Sequence, residues 1–181
     1  MDKMICYNCF KDLGGSTNFC RHCGFPVRQD WEKYPHALPY GTALGGRYIT
    51  GRVLGQGGFG ITYIAQDYRS KELVAIKEFF PDTMAARGTG NSIVPYTGQR
   101  GEDFNFGKTT FLEEARTLAQ FNDAPGIVHV YSYFEEFGTA YFAMEYVDGM
   151  SLQKYIEKSG GRLSWDANRR VRRWTSSVPV V

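Results

Sequence analysis

Long apolar runs, a strong charge of either sign and scattered cysteines are all missing from this sequence. No stretch of the 181 residues approaches the roughly 18 apolar residues that span a bilayer, because a charge or a glycine interrupts every candidate. The opening Met1-Asp2-Lys3-Met4-Ile5-Cys6 has neither the apolar run nor the small-residue cleavage site of a secretory signal. Lys and Arg number 21 against 19 Asp and Glu, a net +2, which argues against a protein that holds nucleic acid by a basic field. These absences set the expectation of a cytoplasmic protein with no membrane segment and no nucleic-acid partner. Whole-chain disorder is excluded as well, since 43% of the residues are apolar and only 22% charged. The length suits one domain with a small module attached.

Cysteine occurs four times, always within the first 23 residues, as Cys6-x-x-Cys9 and Cys20-x-x-Cys23. Three readings are open: a metal site, a redox dithiol, or four unrelated thiols. A thioredoxin-type dithiol needs a βαβ setting, and none surrounds these residues. Two C-x-x-C turns can instead close a tetrahedral set of four thiolates around Zn²⁺, with Gly24 after Cys23 easing the second turn. His22 is then a surface residue rather than a ligand. A segment this short builds no core of its own, so zinc would supply its folding energy in a structural role. The expected division is a zinc ribbon over residues 1–25 and a linker over 26–45. The linker carries Pro26, Pro35 and Pro39 with Trp31, Tyr34 and Tyr40.

From Gly46 the pattern changes to short alternating runs. Residues 48–54 and 61–65 read as strands joined by Gly55-Gln56-Gly57-Gly58-Phe59-Gly60, and Leu73-Val74-Ala75-Ile76 leads to Lys77. A dinucleotide-binding glycine motif lies between a strand and a helix, whereas this one bridges two β runs. Strand, glycine loop, strand is the arrangement that folds over a nucleotide's phosphates.

Here the sequence resembles the protein kinase superfamily, in its prokaryotic serine/threonine branch. Leu54-Gly55-x-Gly57-x-x-Gly60 matches the glycine-rich loop, with Thr62 where the family usually has Val, and Val74-Ala75-Ile76-Lys77 matches the third-strand lysine motif. The resemblance implies an α+β fold: a kinase-like small lobe of five antiparallel strands and one helix over 46–149. A zinc ribbon precedes it, and an incomplete large lobe with a basic tail follows over 150–181. It implies ATP as cofactor, Mg²⁺ in a complete enzyme, and protein substrates or signalling partners. Lys77 would hold the α- and β-phosphates, Thr62 would sit on the adenine roof, and Ala75 would be among the nucleotide-binding residues. Met144-Glu145-Tyr146-Val147 resembles the hinge, with Met144 as gatekeeper and the Glu145 carbonyl and Val147 amide facing the adenine edge.

The family's helix glutamate comes next. Thr110-Phe111-Leu112-Glu113 has the spacing of a capping box with Thr110 as N-cap, and Phe111, Ala115, Leu118 and Ala119 share one helical face. Glu114 borders that face and is chosen over Glu113 as the partner of Lys77. Residues 80–107 then form a long connection, either an ordered flap or a mobile loop. Residues 126–131 and 139–144 read as strands four and five about a turn at Gly138, with His129 a structural residue. Tyr131, Tyr133, Phe134, Tyr141 and Phe142 are expected in the sheet core, and Ser151-Leu152 starts the first large-lobe helix.

What a working kinase also needs is missing. None of the three histidines, His22, His36 and His129, is followed by Arg-Asp, and Asp103-Phe104-Asn105 is the nearest approach to Asp-Phe-Gly. The terminal stretch from Asp166 loses apolar periodicity and gathers arginines. The expectation is the ATP-binding portion of a serine/threonine kinase, truncated before its catalytic residues and inactive alone. The alternative is a non-catalytic interaction module built from a zinc ribbon and half a kinase fold.

Overall fold

The computed structural model describes residues 4–15, 18–27, 33–149 and 152–162. Trp31, Ser151 and the arginine-rich terminal stretch lie outside the described residues. Among these described residues eight strands and two α-helices follow in order: β1 (Ala43–Leu44), β2 (Tyr48–Gly57), β3 (Gly60–Asp67), β4 (Leu73–Phe79), β5 (Ala85–Arg87), β6 (Ile93–Pro95), α1 (Gln99–Ala119), β7 (Val130–Glu136), β8 (Thr139–Glu145) and α2 (Leu152–Lys158). One antiparallel sheet has the order β1-β2-β3-β4-β8-β7; β5 and β6 form a separate ribbon. The five long strands are those expected, and the two-residue β1 adds a short sixth at the edge.

Register decides which residues face which side. Thr62 pairs with Lys77, Lys77 with Phe142, and Ala75 with Met144, so these side chains lie on one face. Helix α1 covers part of that face with buried Phe104, Phe111 and Ala115, whose spacing of seven and four residues is one helical stripe. Phe111 meets Phe79 and Phe142 at centroid distances of 5.5 and 5.0 Å.

The helix begins eleven residues before the expected cap. Thr110 is no N-cap: its hydroxyl donates to the Phe106 carbonyl at 3.1 Å inside the helix, the back-bonding available to a mid-helix threonine. Gly107 looks like a breaker in sequence but allows close packing, since a Cβ there would sit 2.8 Å from the Phe79 ring. The connection after β4 is correspondingly shorter than expected and ordered by the β5–β6 ribbon. Strand β7 also starts later than expected, at Val130. Asn122 holds the preceding turn by accepting from the Val130 amide at 2.8 Å and facing His129 Nε2 at 3.2 Å. Tyr141 and Phe142 are buried as expected, whereas Tyr131 and Tyr133 are 42% and 40% exposed.

The opposite face of the sheet is filled, not solvated. Leu38 and Ala37 from the linker and Ile93 from the ribbon share its core with Tyr63, Ile76 and Tyr141. At its centre Glu78, fully buried, accepts from the Tyr63 and Tyr141 hydroxyls at 2.7 Å each and pairs with Arg87 at 2.7 Å. Arg87 also donates to the carbonyls of His36 and Asn91 at 2.6 and 3.0 Å, so one guanidinium ties linker, ribbon and sheet together. Burial works against the Arg87 charge, and the Glu78 carboxylate more than restores it, so its pKa is raised. Burial, reinforced by that carboxylate, pushes both phenols up.

Candidate functional site

Strands β2 and β3 continue through the glycine-rich segment until Gly57 pairs with Gly60, leaving Gly58 and Phe59 as the tip of a hairpin. Phe59 is 71% exposed at that tip. Beneath the hairpin lies a hollow of about 350 Å³ lined by Gly55, Gly57, Gly58, Thr62 and Lys77. It adjoins a cavity of about 550 Å³ whose walls include Leu54, Thr62, Ala75, Met144, Glu145 and Val147. The two adjoining hollows are together lined by every residue assigned above to the adenine and phosphate positions, Gly60 lining the hairpin hollow. Among the described residues, no hydrogen bond engages the Val147 amide, and Val147 is 63% exposed.

Lys77 Nζ stands 4.0 Å from Glu114 Oε1 and 5.4 Å from the ring centroids of Phe111 and Phe142. The side chains are 32% and 52% exposed, so this pair adds little stability, and its consequence is where it holds the ammonium. Glu113, also exposed, is not among the partners of Lys77. A third hollow of about 440 Å³ runs from Lys77 and Glu114 to Phe59, Phe106 and Asp103. The Asp103-Phe104-Asn105 segment is helical: Phe104 is buried and Asp103 accepts from Gln99 at 3.0 Å, so it is no metal-binding loop.

The cysteine segment forms two knuckles of the same design. The Phe10 amide returns to the Cys6 carbonyl at 2.7 Å, and the Gly24 amide to the Cys20 carbonyl at 2.8 Å. Both closing residues are left-handed, Phe10 at φ 55° and Gly24 at φ 70°. The four sulfurs lie within 4.8 Å of one another, with Cys6–Cys23 at 3.6 Å and Cys9–Cys20 at 3.7 Å. A tetrahedron with Zn–S bonds of about 2.3 Å has edges of roughly 3.8 Å, whereas a disulfide needs about 2.05 Å. The spacing fits a four-thiolate metal site. The His22 amide donates to Cys20 Sγ at 3.4 Å while the His22 side chain is exposed, so it stands outside the ligand set. Burial pushes the Cys9 thiol up to about 12; at Cys20 burial raises too, but the His22 and Cys23 amides outweigh it and bring the thiol down to about 7.

The protein kinase domain family model matches residues 48–178, and the chain belongs to that family. It is 29% identical over 148 residues to serine/threonine-protein kinase B of Synechocystis, an alignment covering 79% of this chain and 23% of that one. It is 32% identical over 120 residues to PrkC of Bacillus subtilis, covering 66% of this chain and 16% of the relative. The solved structure of PpkA-294 in its apo form aligns with a TM-score of 0.70 at 33% identity, over 75% of this chain and 47% of that one. The chain spans less than a quarter of the length of these curated relatives. Among the described residues, no helix is long and apolar enough to cross a membrane.

Three residues of consequence escaped the sequence reading. Glu78 and Arg87 look like solvated charges in a polar stretch, and only the pairing of β4 with β3 and β8 turns Glu78 inward. Arg52, on the wall of the larger cavity, carried no motif at all.

Proposed function

We propose that residues 46–149 bind ATP as the small-lobe half of a serine/threonine protein kinase, and that Cys6, Cys9, Cys20 and Cys23 hold one structural Zn²⁺. The observation that carries the first part is the convergence of Thr62, Ala75, Lys77 and Met144 on one sheet face under the glycine hairpin, with Glu114 at 4.0 Å from Lys77. Adenine fits the larger cavity, where the Glu145 carbonyl and the Val147 amide offer one acceptor and one donor. The phosphates fit the hairpin hollow, where backbone amides and Lys77 meet their charge.

These 181 residues contain no His-Arg-Asp and no Asp-Phe-Gly. No side chain here accepts the proton of a substrate hydroxyl or holds Mg²⁺ in the family's way, so the chain alone transfers no phosphate. Adenine would have the small-lobe sheet over one face, and at about 25 cal/mol per Å² left bare on the other the affinity falls toward the millimolar range. Protein substrates and a cytoplasmic setting belong to the same proposal.

Titration with a fluorescent ATP analogue and Mg²⁺, run beside a labelled-phosphate transfer assay, tests it. Weak saturable binding that Lys77→Met lowers about tenfold, without transfer, is expected. Sub-micromolar binding, or transfer that Lys77→Met abolishes, would overturn the account of an incomplete site. Complete absence of binding would favour the interaction module.

A further inference from the structure

The cysteine module does not hang on a tether; it is docked on the strand that leads into the glycine hairpin. The Arg52 amide of β2 donates to the Tyr7 carbonyl at 2.8 Å. A Cβ built at Gly51 would overlap that same carbonyl oxygen, so this position must be glycine for the knuckle to approach. Tyr7 packs on Tyr40 at 5.4 Å between ring centroids, and the Arg52 guanidinium lies 5.8 Å from the Phe25 centroid. The β2–β3 ladder changes register between Thr50 and Val53 and again before Gly55, so the knuckle supports β2 where β3 holds it least regularly.

One residue joins the two sites. Asn8 donates through Nδ2 to Cys23 Sγ at 3.5 Å and accepts through Oδ1 from Arg52 Nε at 2.5 Å. Arg52 in turn lines the larger cavity beside Leu54.

We propose that metal binding at the four cysteines and nucleotide binding under the glycine hairpin are coupled, with Asn8 as the positioning residue that acts through Arg52. This rests on the nucleotide and zinc readings above. A metal-held Cys23 sulfur orients the Asn8 amide, which fixes the Arg52 side chain at the cavity wall, while Tyr7 holds the Arg52 backbone. Without metal the buried residues of the module, among those described, are Cys6, Phe10, Leu13 and Cys20, too little to stay folded. Tyr7 and Asn8 then leave, β2 loses its support, and Leu54 with the hairpin must be ordered at the ligand's expense. Coupling is reciprocal: nucleotide raises metal affinity by the factor by which metal raises nucleotide affinity.

The test compares zinc-loaded and chelator-stripped full chain, reading binding of a fluorescent ATP analogue and hydrogen exchange of amides 51–57. Stripping should weaken binding about tenfold, within the usual 5–150-fold range of such couplings, and speed exchange at Arg52. Asn8→Ala should weaken binding while still holding about one zinc per chain, and Asn8→Asp, which keeps the acceptor for Arg52 but loses the donor to Cys23, should not restore it. Equal affinities in both metal states, or an Asn8→Ala protein indistinguishable from the parent, would overturn the coupling. If the loaded protein binds no nucleotide, the nucleotide reading falls and the coupling loses its ligand. Unaltered exchange at 51–57 overturns the support of β2 whatever the protein binds.

Discussion

The cysteine module and the sheet lobe sit against each other and hold together by different means. Among the described residues of 4–27 four side chains are buried, Cys6, Phe10, Leu13 and Cys20, and each knuckle closes through a left-handed residue. The lobe buries a continuous core from the linker through β8, and its two buried carboxylates are both partnered, Glu78 by two phenols and a guanidinium and Asp67 by Arg47. In the first, four thiols crowd within 4.8 Å of one another in a spacing that suits a shared cation. In the second, apolar area supplies the stability and polar groups are admitted only when fully partnered. A unit of the first kind responds to its surroundings, and one of the second kind does not.

The largest expected break comes from Cys20→Ser. It removes a buried ligand, so zinc content should fall from about one per chain to none, with loss of a metal contribution of about 10–16 kcal/mol to folding the module. Exchange protection should vanish over residues 4–27 and persist in β3, β4 and β8; a metal-free module that stays protected would end the contrast. Next is Arg87→Met, which strands Glu78 and should cost the lobe about 3–5 kcal/mol in urea unfolding. Removing both charges, in the double variant Arg87→Met with Glu78→Gln, should cost less than removing Arg87 alone. Gly51→Ala acts on the seam between the regions. It should leave zinc content unchanged, expose the Arg52 amide to exchange and cost about 1–3 kcal/mol through overlap with Tyr7. The smallest effect is Thr110→Ala, which would cost about 1 kcal/mol at a helix cap but within the helix should stay within about 0.5 kcal/mol of the parent by thermal melting.

That last pair of outcomes marks where the sequence could be read and where it could not. The glycine hairpin, Lys77 and the four cysteines were legible because each depends on short spacings along one chain segment. The start of α1 was not. Gly107 and the threonines imitate a helix boundary, and their compatibility with helix depends on Phe79 across the gap and on back-bonds to residues 105 and 106. Likewise the alternation of Tyr131 and Tyr133 with apolar neighbours marks a strand, but the open edge of β7 leaves those rings in solvent. The Glu78–Arg87 pair joins residues of different strands through a face that no local pattern announces.

The glycines of the hairpin carry a further consequence. At Gly55, Gly57 and Gly58 an added Cβ would meet nothing within 4 Å, whereas at Gly60 it would collide with the Glu78 carbonyl of β4. Three of these glycines therefore leave room for something the protein does not itself supply, and the fourth leaves room for the protein. The motif is two constraints overlaid on six residues, one enforced by whatever passes beneath the hairpin and one by the crossing of two strands. A substitution series along it would separate them, with positions 55–58 altering affinity in a folded chain and position 60 altering whether the chain folds.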